Sequence, residues 1–378
     1  MQYSIGTEDI MKKIIVAIDS YKGTMSTKEL SILIKKHLPF KDAFFTLLPM
    51  SDGGEGFVEA LSFSLKSKEI KLIVEDSFGI EKQSKYIITD NHTAIMEIAL
   101  SSGLTDIENS NLNPCFTSSY GLGQTMIDAL DHGAKELIIG LGGSSTNDGG
   151  AGMLQALGVK FFDKEHQEIK RMTGLTISEI ERIDLASLDS RLIKTNILVA
   201  TDVTNPLLGK NGSAHVYSKQ KGASDDMVKV LENNMKHFSD IVIKTLNIDE
   251  RSFPGSGAAG GLGFALKSFL KARLESGFKL VSKMVDLEKL IESSDLVITG
   301  EGQLDTQSLN GKLPIEVAKL AKNYHKKVIG LFGQSLLNES LNLFDCIYCI
   351  VPKIATIQES LNNPKENFIK LIRTINPI

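Results

Sequence analysis

The stretch Leu137-Ile-Ile-Gly-Leu-Gly-Gly-Ser-Ser-Thr-Asn-Asp-Gly-Gly-Ala-Gly-Met-Leu-Gln-Ala-Leu157 joins an apolar run, a glycine-rich segment and a second apolar run. This order predicts a strand, a loop and a helix. Glycine lets the backbone approach a ligand closely, and the free amides at a helix start attract anions. The stretch therefore predicts an anion site, in which a metal could bridge Asp148 to a phosphate. For a single loop, a turn that only lets a helix pack closely on a sheet remains an equal alternative.

The glycine-rich loop matches neither of two common nucleotide-binding motifs. It lacks the Gly-Lys-Ser/Thr ending of a Walker A motif, and Ser145 stands where a dinucleotide fingerprint has its third glycine. The loop by itself indicates an anion site and nothing narrower.

Four further apolar runs are each followed by a loop that carries an acidic residue. The runs and their loops are 14–18 with 19–24, 45–49 with 51–56, 196–200 with 202–206, and 295–299 with 300–305. Ligands of an open α/β sheet bind outside the carboxyl ends of its parallel strands, so several such loops can meet in one place. We therefore favour a shared ligand site over glycines with a purely structural role.

The composition excludes several classes of protein. A chain of 378 residues exceeds the size at which one core keeps growing, so two domains are expected. The net charge of -4 argues against nucleic-acid binding. No apolar stretch reaches the roughly 18 residues that span a bilayer, and Glu8 and Asp9 stand where a signal peptide would be apolar. We expect a cytoplasmic protein without a nucleic-acid or membrane partner.

Cysteine and histidine give no sign of a disulfide framework or a metal site. The three cysteines are unevenly placed, and Cys346 and Cys349 lie in the apolar run 346–351, which favours buried strand cysteines over a redox pair. The seven histidines show no metal-ligand spacing.

Strand-like and helix-like segments alternate, which predicts an α/β fold with a largely parallel sheet. Ser26 and Glu29 form a capping box that opens a helix to about His37, so Lys22 lies just before a helix start. Pro314 suits the first turn of a second helix, which places Lys312 at its start. Other predictions are a helical, solvated arm at 224–247, and two closing strands at 327–332 and 346–351 that could complete the sheet begun at 14–18.

Eight sequence blocks, in their order and spacing, resemble the bacterial glycerate kinase family. They are Asp19-Ser-Tyr-Lys-Gly23, Asp52-Gly-Gly-Glu-Gly56, Glu97 with Ser102-Gly-Leu104, Thr117-Ser-Ser-Tyr-Gly121, Gly142-Gly-Ser-Ser-Thr-Asn-Asp-Gly-Gly150, Asp202-Val-Thr-Asn-Pro206, Pro254-Gly-Ser-Gly-Ala-Ala-Gly-Gly-Leu262, and Gly300-Glu-Gly-Gln-Leu-Asp305 with Gly311-Lys312. Departures are Tyr21, where phenylalanine is frequent, Ser145, where alanine is common, and Gln303, where arginine often stands. Residues before Met11 extend beyond the usual family start, and we expect them to take no part in catalysis.

The resemblance implies ATP-dependent phosphorylation of D-glycerate, most often at the 2-hydroxyl to give 2-phosphoglycerate. It also implies an interrupted α/β fold. A flavodoxin-like parallel-sheet domain would be formed by residues 11–75 and 293–378, with a second α/β domain, 76–292, inserted between them. The active site would then lie in the cleft between the two domains.

The resemblance also suggests roles for individual residues. Asp305, in preference to Asp202 and Asp52, would accept the hydroxyl proton, while Lys312 and Lys22 would neutralise phosphate or carboxylate charge. The expected substrate-binding residues are Asp19, Asp52, Gly53, Gly54 and Glu55. Backbone amides would hold the phosphates of ATP at Gly142, Gly143, Ser144, Ser145, Thr146 and Asn147. Magnesium would be held, directly or through water, by Asp148 and Asp202.

Each of these assignments has an alternative. Asp19, Asp52 and Asp202 could simply cap turns through bonds from side chain to backbone. The acceptor could be another small hydroxy acid, the product could be the 3-phosphate, or the protein could be a sensor that binds without turnover. A hydride-transfer enzyme is disfavoured because no intact dinucleotide fingerprint is present. Monomer and homodimer both remain open.

Overall fold

The computed structural model describes residues 11–40, 42–306, 308–337 and 342–376. The residues before Met11, which we expected to take no part in catalysis, lie outside the described residues. The predicted α/β class is confirmed, because strands and helices alternate along most of the chain. None of the described helices is both long and apolar enough to cross a bilayer.

The β-strands among the described residues lie between Lys12 and Cys349. In chain order they are β1 (Lys12–Ile18), β2 (Ala43–Pro49), β3 (Ser67–Glu75), β4 (Glu81–Thr89), β5 (Thr93–Glu97), β6 (Glu136–Gly140), β7 (Lys160–Phe162), β8 (Arg182–Asp184), β9 (Asn196–Ala200), β10 (Arg273–Glu275), β11 (Leu296–Leu304), β12 (Lys327–Ser335) and β13 (Cys346–Cys349).

The α-helices are distributed between these strands. In chain order they are α1 (Thr27–His37), α2 (Phe57–Ser64), α3 (Ala99–Ser102), α4 (Tyr120–Asp131), α5 (Ala151–Ala156), α6 (Ser213–Tyr217), α7 (Asp225–Leu246), α8 (Ala258–Leu270), α9 (Gly277–Met284), α10 (Leu287–Glu292), α11 (Leu313–Asn323), α12 (Ile357–Asn362) and α13 (Pro364–Arg373). Short 3₁₀ turns lie at Asn109–Asn111, Thr176–Glu179, Ser190–Ile193, Lys219–Lys221 and Ser308–Asn310.

The chain divides into two compact units. Of the described residues, the first unit contains those in 11–51, Glu59–Ser64 and those in 281–376, and the second contains Asp52–Val58 and Leu65–Leu280. The domain predicted from the sequence joins residues 11–75 to residues 293–378. In the structure β3 pairs along its whole length with β4, so it belongs to the sheet of the second unit.

The first unit is built on a five-stranded sheet in the order β13-β12-β11-β1-β2. All of its strand pairs are parallel. Counted within the unit, this is the 2-1-3-4-5 order of flavodoxin-like folds, in which the connections reverse direction between β1 and β11. Ile14, Ile18 and Ile34 pack with Phe368 and Ile372 in the core of this unit.

The second unit contains a six-stranded sheet in the order β10-β9-β6-β5-β4-β3. Strands β5, β6, β9 and β10 are parallel, whereas β3 and β4 are antiparallel to their neighbours, which the sequence analysis did not predict. The register aligns the last residues of the four parallel strands, which are Glu97, Gly140, Ala200 and Glu275. The loops that follow these strands therefore leave the sheet at one edge.

Both predicted helix starts are confirmed. Ser26 is the N-cap of α1, where its Oγ accepts a hydrogen bond from the amide of Glu29 at 3.3 Å. Lys312 is the N-cap of α11, which has Pro314 in its first turn. Lys22 lies in the turn before α1, as expected from the sequence.

The predicted loop at 300–305 is wrong, because β11 continues to Leu304 and pairs with β12 as far as Ser335. The glycine at 300 serves this pairing instead of a turn: a side chain there would overlap the carbonyl oxygen of Leu331. Only Asp305 of the predicted loop lies beyond the strand.

The predicted solvated arm at 224–247 is also wrong in part. The helix exists as α7, but one face of it is buried, and Met235, Phe238 and Val242 are 0% exposed. Phe238 makes edge-to-face contacts with Phe161 and Phe264 at 6.3 Å between ring centroids. This helix therefore forms part of the core of the second unit.

Candidate active site

The residues singled out from the sequence fall into two groups, one in each unit. The first unit holds Asp19, Lys22, Asp305 and Lys312. The second unit holds Asp52, Gly53, Gly54, Glu55, Gly142, Gly143, Ser144, Ser145, Thr146, Asn147, Asp148 and Asp202.

In the first unit, the turn after β1 lies beside β11. The strand connections reverse direction between these two strands, which makes this place the switch point of the sheet. The amide of Asp19 donates to the carbonyl of Gly300 at 3.0 Å, which ties the start of the turn to β11. The carboxylate of Asp19 accepts a hydrogen bond from the amide of Ser20 at 2.7 Å. Lys22 is exposed in the same turn. Ligands of flavodoxin-like sheets bind at this switch point, so Asp19 and Lys22 are suitably placed for a substrate.

Asp305 follows β11 and is held by several donors. Its Oδ2 accepts from Gln303 Nε2 at 2.8 Å, and its Oδ1 accepts from the amide of Ser308 at 2.9 Å. Lys312 Nζ lies 3.6 Å from Oδ1. These donors, with the Gln303 bond the strongest, hold the pKa of Asp305 below its usual range. Asp305 is therefore a carboxylate with a low affinity for protons.

Glu301 is a second carboxylate beside Lys312, and its role was not predicted from the sequence. Its side chain is buried, Oε1 accepts from Ser308 Oγ at 2.7 Å, and Oε2 lies 3.6 Å from Lys312 Nζ. Burial raises the pKa of Glu301, although Ser308 and the two nearby lysines oppose that effect. Glu301 lies within a sequence block that resembles the family, so it could have been singled out. Because this block was predicted to be a loop, the position of Glu301 on a strand was not recognised.

In the second unit, three of the predicted loops meet at the carboxyl edge of the sheet. The amide of Gly142 donates to the carbonyl of Gly53 at 3.0 Å, and Gly53 lies so close to the end of β9 that a side chain there would overlap the carbonyl oxygen of Ala200. The approach is so close that a side chain at Gly142 would overlap the Cα atom of Gly54. The structure therefore brings together the loops 52–56, 140–150 and 200–206.

Some backbone amides of the glycine-rich loop donate to protein carbonyls, and others have no protein acceptor among the described residues. The amide of Gly142 bonds to Gly53, as above, and the amide of Ser145 bonds to the carbonyl of Ser102 at 2.9 Å. Within the described residues, no protein acceptor takes up the amides of Gly143, Ser144, Thr146 and Asn147. Gly143 is exposed with φ at +75°, while the side chains from Ser144 to Asn147 are buried.

Asp148 is completely buried and surrounded by donors. Its Oδ2 accepts from the amide and the hydroxyl of Ser119, each at 2.8 Å, and from the amide of Gly152 at 3.1 Å. Its Oδ1 accepts from the amide of Gly150 at 3.1 Å. Burial raises the pKa of Asp148, and these four bonds oppose that effect. This environment fits a residue that shapes the loop better than it fits the metal ligand expected from the sequence.

Lys221 lies under the glycine-rich loop and was not singled out from the sequence. It is 2% exposed, and its Nζ donates to Ser144 Oγ at 2.9 Å and to the carbonyl of Thr146 at 2.7 Å. Burial lowers the pKa of Lys221 to about 7, although the charge of Asp148 opposes that effect. No local pattern marks this lysine, because its contacts lie far away in the sequence.

Next to Lys221, the loop carries two buried oxygen atoms that have no hydrogen-bond partner among the described residues. They are Thr146 Oγ1 and Asn147 Oδ1. The other end of the Asn147 amide is engaged, because Nδ2 donates to Ser218 Oγ at 2.8 Å. Polar contacts from Ser218 and Lys221 thus hold the loop in place.

Glu97, at the end of β5, holds the neighbouring loop. It is 4% exposed and accepts from the amide of Gly56 at 3.1 Å and from the amide of Val58 at 2.8 Å. Burial raises the pKa of Glu97 to about 7, and the charge of Glu55 adds to this effect. Glu97 belongs to a block that resembles the family, but its role in holding this loop was not predicted from the sequence.

Few of the described side chains are placed to coordinate a divalent cation. Among the described residues, no group of three or more His, Cys, Asp or Glu side chains could hold a metal ion. Magnesium is usually held by one or two carboxylates together with substrate phosphates and water, so such a group is not required. Asp202 is an exposed carboxylate and fits this role. The side chain of Asp52 bonds to the amide of Gly54 at 2.9 Å, as a turn-capping aspartate does.

Comparison with known proteins finds a family that matches nearly the whole chain. The model of the glycerate kinase family matches residues 14–377. The chain is 41% identical over 371 residues to the glycerate 2-kinase of Escherichia coli (strain K12), covering 96% of this chain and 97% of that protein. It is 40% identical over 370 residues to the glycerate kinase of Bacillus subtilis (strain 168), with 96% of each covered. A crystal structure from Salmonella typhimurium LT2, described as glycerate kinase 2, matches with a TM-score of 0.82 and 37% identity over 96% of both chains.

Proposed function

The chain belongs to the glycerate kinase family, and on that premise we propose that it transfers the γ-phosphoryl group of ATP to D-glycerate. The observation that carries the proposal is the family match over residues 14–377. The proposed product is 2-phosphoglycerate. The relative named glycerate 2-kinase, at 41% identity, supports that position.

The glycine-rich loop is the proposed binding surface for the phosphates of ATP. Amides without a protein acceptor, next to a buried lysine, are the groups that bind phosphate oxygens. Gly143, Ser144, Thr146 and Asn147 supply such amides within the described residues, and Lys221 supplies the positive charge. Gly142 and Ser145 have a different role in this proposal, because their amides fix the loop to its neighbours.

The proposed acceptor site includes residues at the switch point of the first sheet. Lys22 and Lys312 would neutralise the carboxylate of glycerate or the transferring phosphoryl group. Asp305 would keep Lys312 in place through their 3.6 Å ion pair, and Asp19 would bind substrate from the turn after β1. The loop from Asp52 to Glu55, including Gly53 and Gly54, is also proposed to bind substrate.

The proposed magnesium ligand is Asp202, with Asp148 supporting the loop. When bound, Mg²⁺ would neutralise charge on the phosphates of ATP and so assist the transfer.

A further proposal concerns the location of the protein in the cell. The three unevenly placed cysteines, as expected in a reducing compartment, support the proposed cytoplasmic location.

A coupled assay tests the proposed reaction. The purified protein is incubated with ATP, Mg²⁺ and D-glycerate, and enolase with pyruvate kinase reports 2-phosphoglycerate directly. A second reaction also contains phosphoglycerate mutase, which makes 3-phosphoglycerate visible as well. We expect a signal without mutase. A signal only with mutase would replace the proposed product with the 3-phosphate.

No signal in either format from folded protein would overturn the proposed reaction. Isothermal titration with ATP and with D-glycerate would then separate a sensor, which binds both without turnover, from a kinase for another acceptor. Tartronate and hydroxypyruvate, as competitors, would report how closely the acceptor site follows the shape of glycerate.

A further inference from the structure

Two carboxylates share one lysine and one serine at the end of β11. Lys312 Nζ lies 3.6 Å from Glu301 Oε2 and 3.6 Å from Asp305 Oδ1. Ser308 Oγ lies 2.7 Å from Glu301 Oε1 and 3.2 Å from Asp305 Oδ1. A single ammonium group cannot fully neutralise two carboxylates, so their affinities for a proton are set by what else surrounds each one.

The surroundings of Asp305 favour its charged form. Both of its oxygens accept hydrogen bonds, Oδ2 from Gln303 and Oδ1 from the amide of Ser308. A carboxylate whose lone pairs are already engaged, and which a lysine stabilises, is a weak proton acceptor.

The surroundings of Glu301 favour proton uptake. It is 8% exposed, and its Oε1 is engaged by Ser308. Its Oε2 accepts no hydrogen bond from any described residue and lies beside the Lys312 ammonium group. The other titratable groups that act on it are Asp305 and Lys22, and its charge in turn acts on Tyr21. Among the described residues, Oε2 is therefore the oxygen of these two carboxylates that accepts no hydrogen bond, so its lone pairs are available to a substrate hydroxyl.

The position of Glu301 in the sheet is that of a ligand-binding residue. It follows Gly300, whose carbonyl accepts the amide of Asp19 from the turn after β1. This places Glu301 at the switch point between β1 and β11, outside which ligands of this sheet type bind.

We propose that Glu301, through Oε2, accepts the proton of the glycerate hydroxyl that attacks ATP, and that Ser308 and Asp305 are positioning residues. The inference rests on the proposed function. In the reaction, the glycerate oxygen forms a bond to the γ-phosphorus, and the bond from that phosphorus to the bridging oxygen of ADP breaks. The bridging oxygen keeps the electron pair, and the hydroxyl proton moves to Glu301 Oε2, from which it passes to solvent after product release.

The primary test compares Glu301→Gln with Asp305→Asn and with Glu316→Gln, a control on the first turn of α11. For Glu301→Gln we expect kcat to fall by about 10²- to 10⁴-fold, the usual contribution of a general base, with the KM values for ATP and glycerate changed less than about threefold. The variant should also lose the acid limb of the pH profile of kcat. Asp305→Asn should keep that limb, and Glu316→Gln should behave as the unmodified enzyme.

A second pair of variants tests the assignment without changing either carboxylate. Gln303 bonds to Asp305 and Ser308 bonds to both carboxylates. If Glu301 is the proton acceptor, Ser308→Ala moves the acid limb to higher pH and Gln303→Ala leaves it in place. This pair decides the matter even if Glu301→Gln fails to fold.

The outcomes separate the inference from the proposed function. A Glu301→Gln enzyme that keeps its acid limb and most of its kcat overturns the inference, and so does a Gln303→Ala enzyme whose acid limb moves. Either result leaves glycerate kinase activity standing. Absence of glycerate-dependent ATP turnover in the unmodified enzyme overturns the proposed function instead.

Discussion

Lys221 Nζ donates a hydrogen bond to the carbonyl oxygen of Thr146 at 2.7 Å and thereby fixes a peptide group of the glycine-rich loop. In a trans peptide the carbonyl and the amide point in opposite directions. The carbonyl of Thr146 is turned toward the lysine, so the amide of Asn147 is turned away from it. The buried lysine thus sets the direction of an amide that is proposed to bind phosphate.

Replacing Lys221 with methionine should weaken ATP binding more than it changes the fold. The substitution removes the charge and both hydrogen bonds while keeping most of the volume, so the loop amides lose their fixed direction. We expect the KM for ATP to rise by about tenfold or more, which corresponds to about 1.4 kcal/mol, with the KM for glycerate nearly unchanged. Lys219→Met, an exposed lysine of the same turn, is the matched control. Equal ATP affinity in both variants would contradict the assignment.

Asp148 should prove to be a structural residue, and Asp202 a residue of the magnesium site. Asp148→Asn places an amide group against donors from Ser119 and Gly152, so we expect a loss of about 2–4 kcal/mol in the free energy of unfolding, with or without Mg²⁺. Asp202→Asn should retain stability and require more Mg²⁺ for half-maximal activity. Urea unfolding and Mg²⁺ titration of activity measure the two effects. A stable Asp148→Asn protein with a raised Mg²⁺ requirement would reverse the two roles.

Glu97 should make the second unit less stable as the pH rises through the range of about 5 to 7. Its pKa is raised to about 7 in the folded protein from 4.5, so the folded state binds more protons in this window. The stabilisation is fully present below pH 4.5 and is lost as the pH rises through about 7, and it amounts to at most about 3 kcal/mol.

Urea unfolding of the unmodified protein and Glu97→Gln at pH 5 and pH 8 measures this effect. The glutamine is less stable at pH 5, because its amide cannot accept from both Gly56 and Val58, but the difference should shrink at pH 8. Glu55→Gln should reduce the pH dependence, since the charge of Glu55 contributes to the shift. A difference that is the same at both pH values would show that Glu97 does not titrate in this window.

The sequence was most informative where structure depends on neighbouring residues. The strands at 14–18 and 196–200, the N-cap at Ser26 and the helix start at Lys312 all follow from local patterns, and the structure confirms them. The buried face of α7 was readable too, because Val228, Leu231, Met235, Phe238 and Val242 recur at helical spacing. Only the opposite face of α7, which carries most of its charged residues, is solvated as predicted.

Features that depend on distant contacts could not be predicted. Asp148 is bonded by Ser119, which lies 29 residues away, and Lys221 reaches Ser144 across 77 residues. The extension of β11 depends on its pairing with β12, and its glycines looked like loop residues. A sequence shows which residue types are present at such places, but the pKa of Glu301 or Lys221 is set by burial that only the folded chain creates.

Gly142 provides a last test of whether the meeting of two loops is required for function. A methyl group at this position would overlap the Cα atom of Gly54, so Gly142→Ala must push the loop 52–56 away from the glycine-rich loop and break the 3.0 Å bond to the carbonyl of Gly53. Overpacking of this kind costs about 1–3 kcal/mol, and we expect kcat/KM to fall by at least about a hundredfold because both loops lose their positions. Gly302→Ala is the control for stability, since a methyl group there meets only ordinary contacts, the nearest at 3.6 Å. If Gly142→Ala loses stability but keeps its kcat/KM, the close approach of the two loops serves packing alone and the anion site must lie elsewhere.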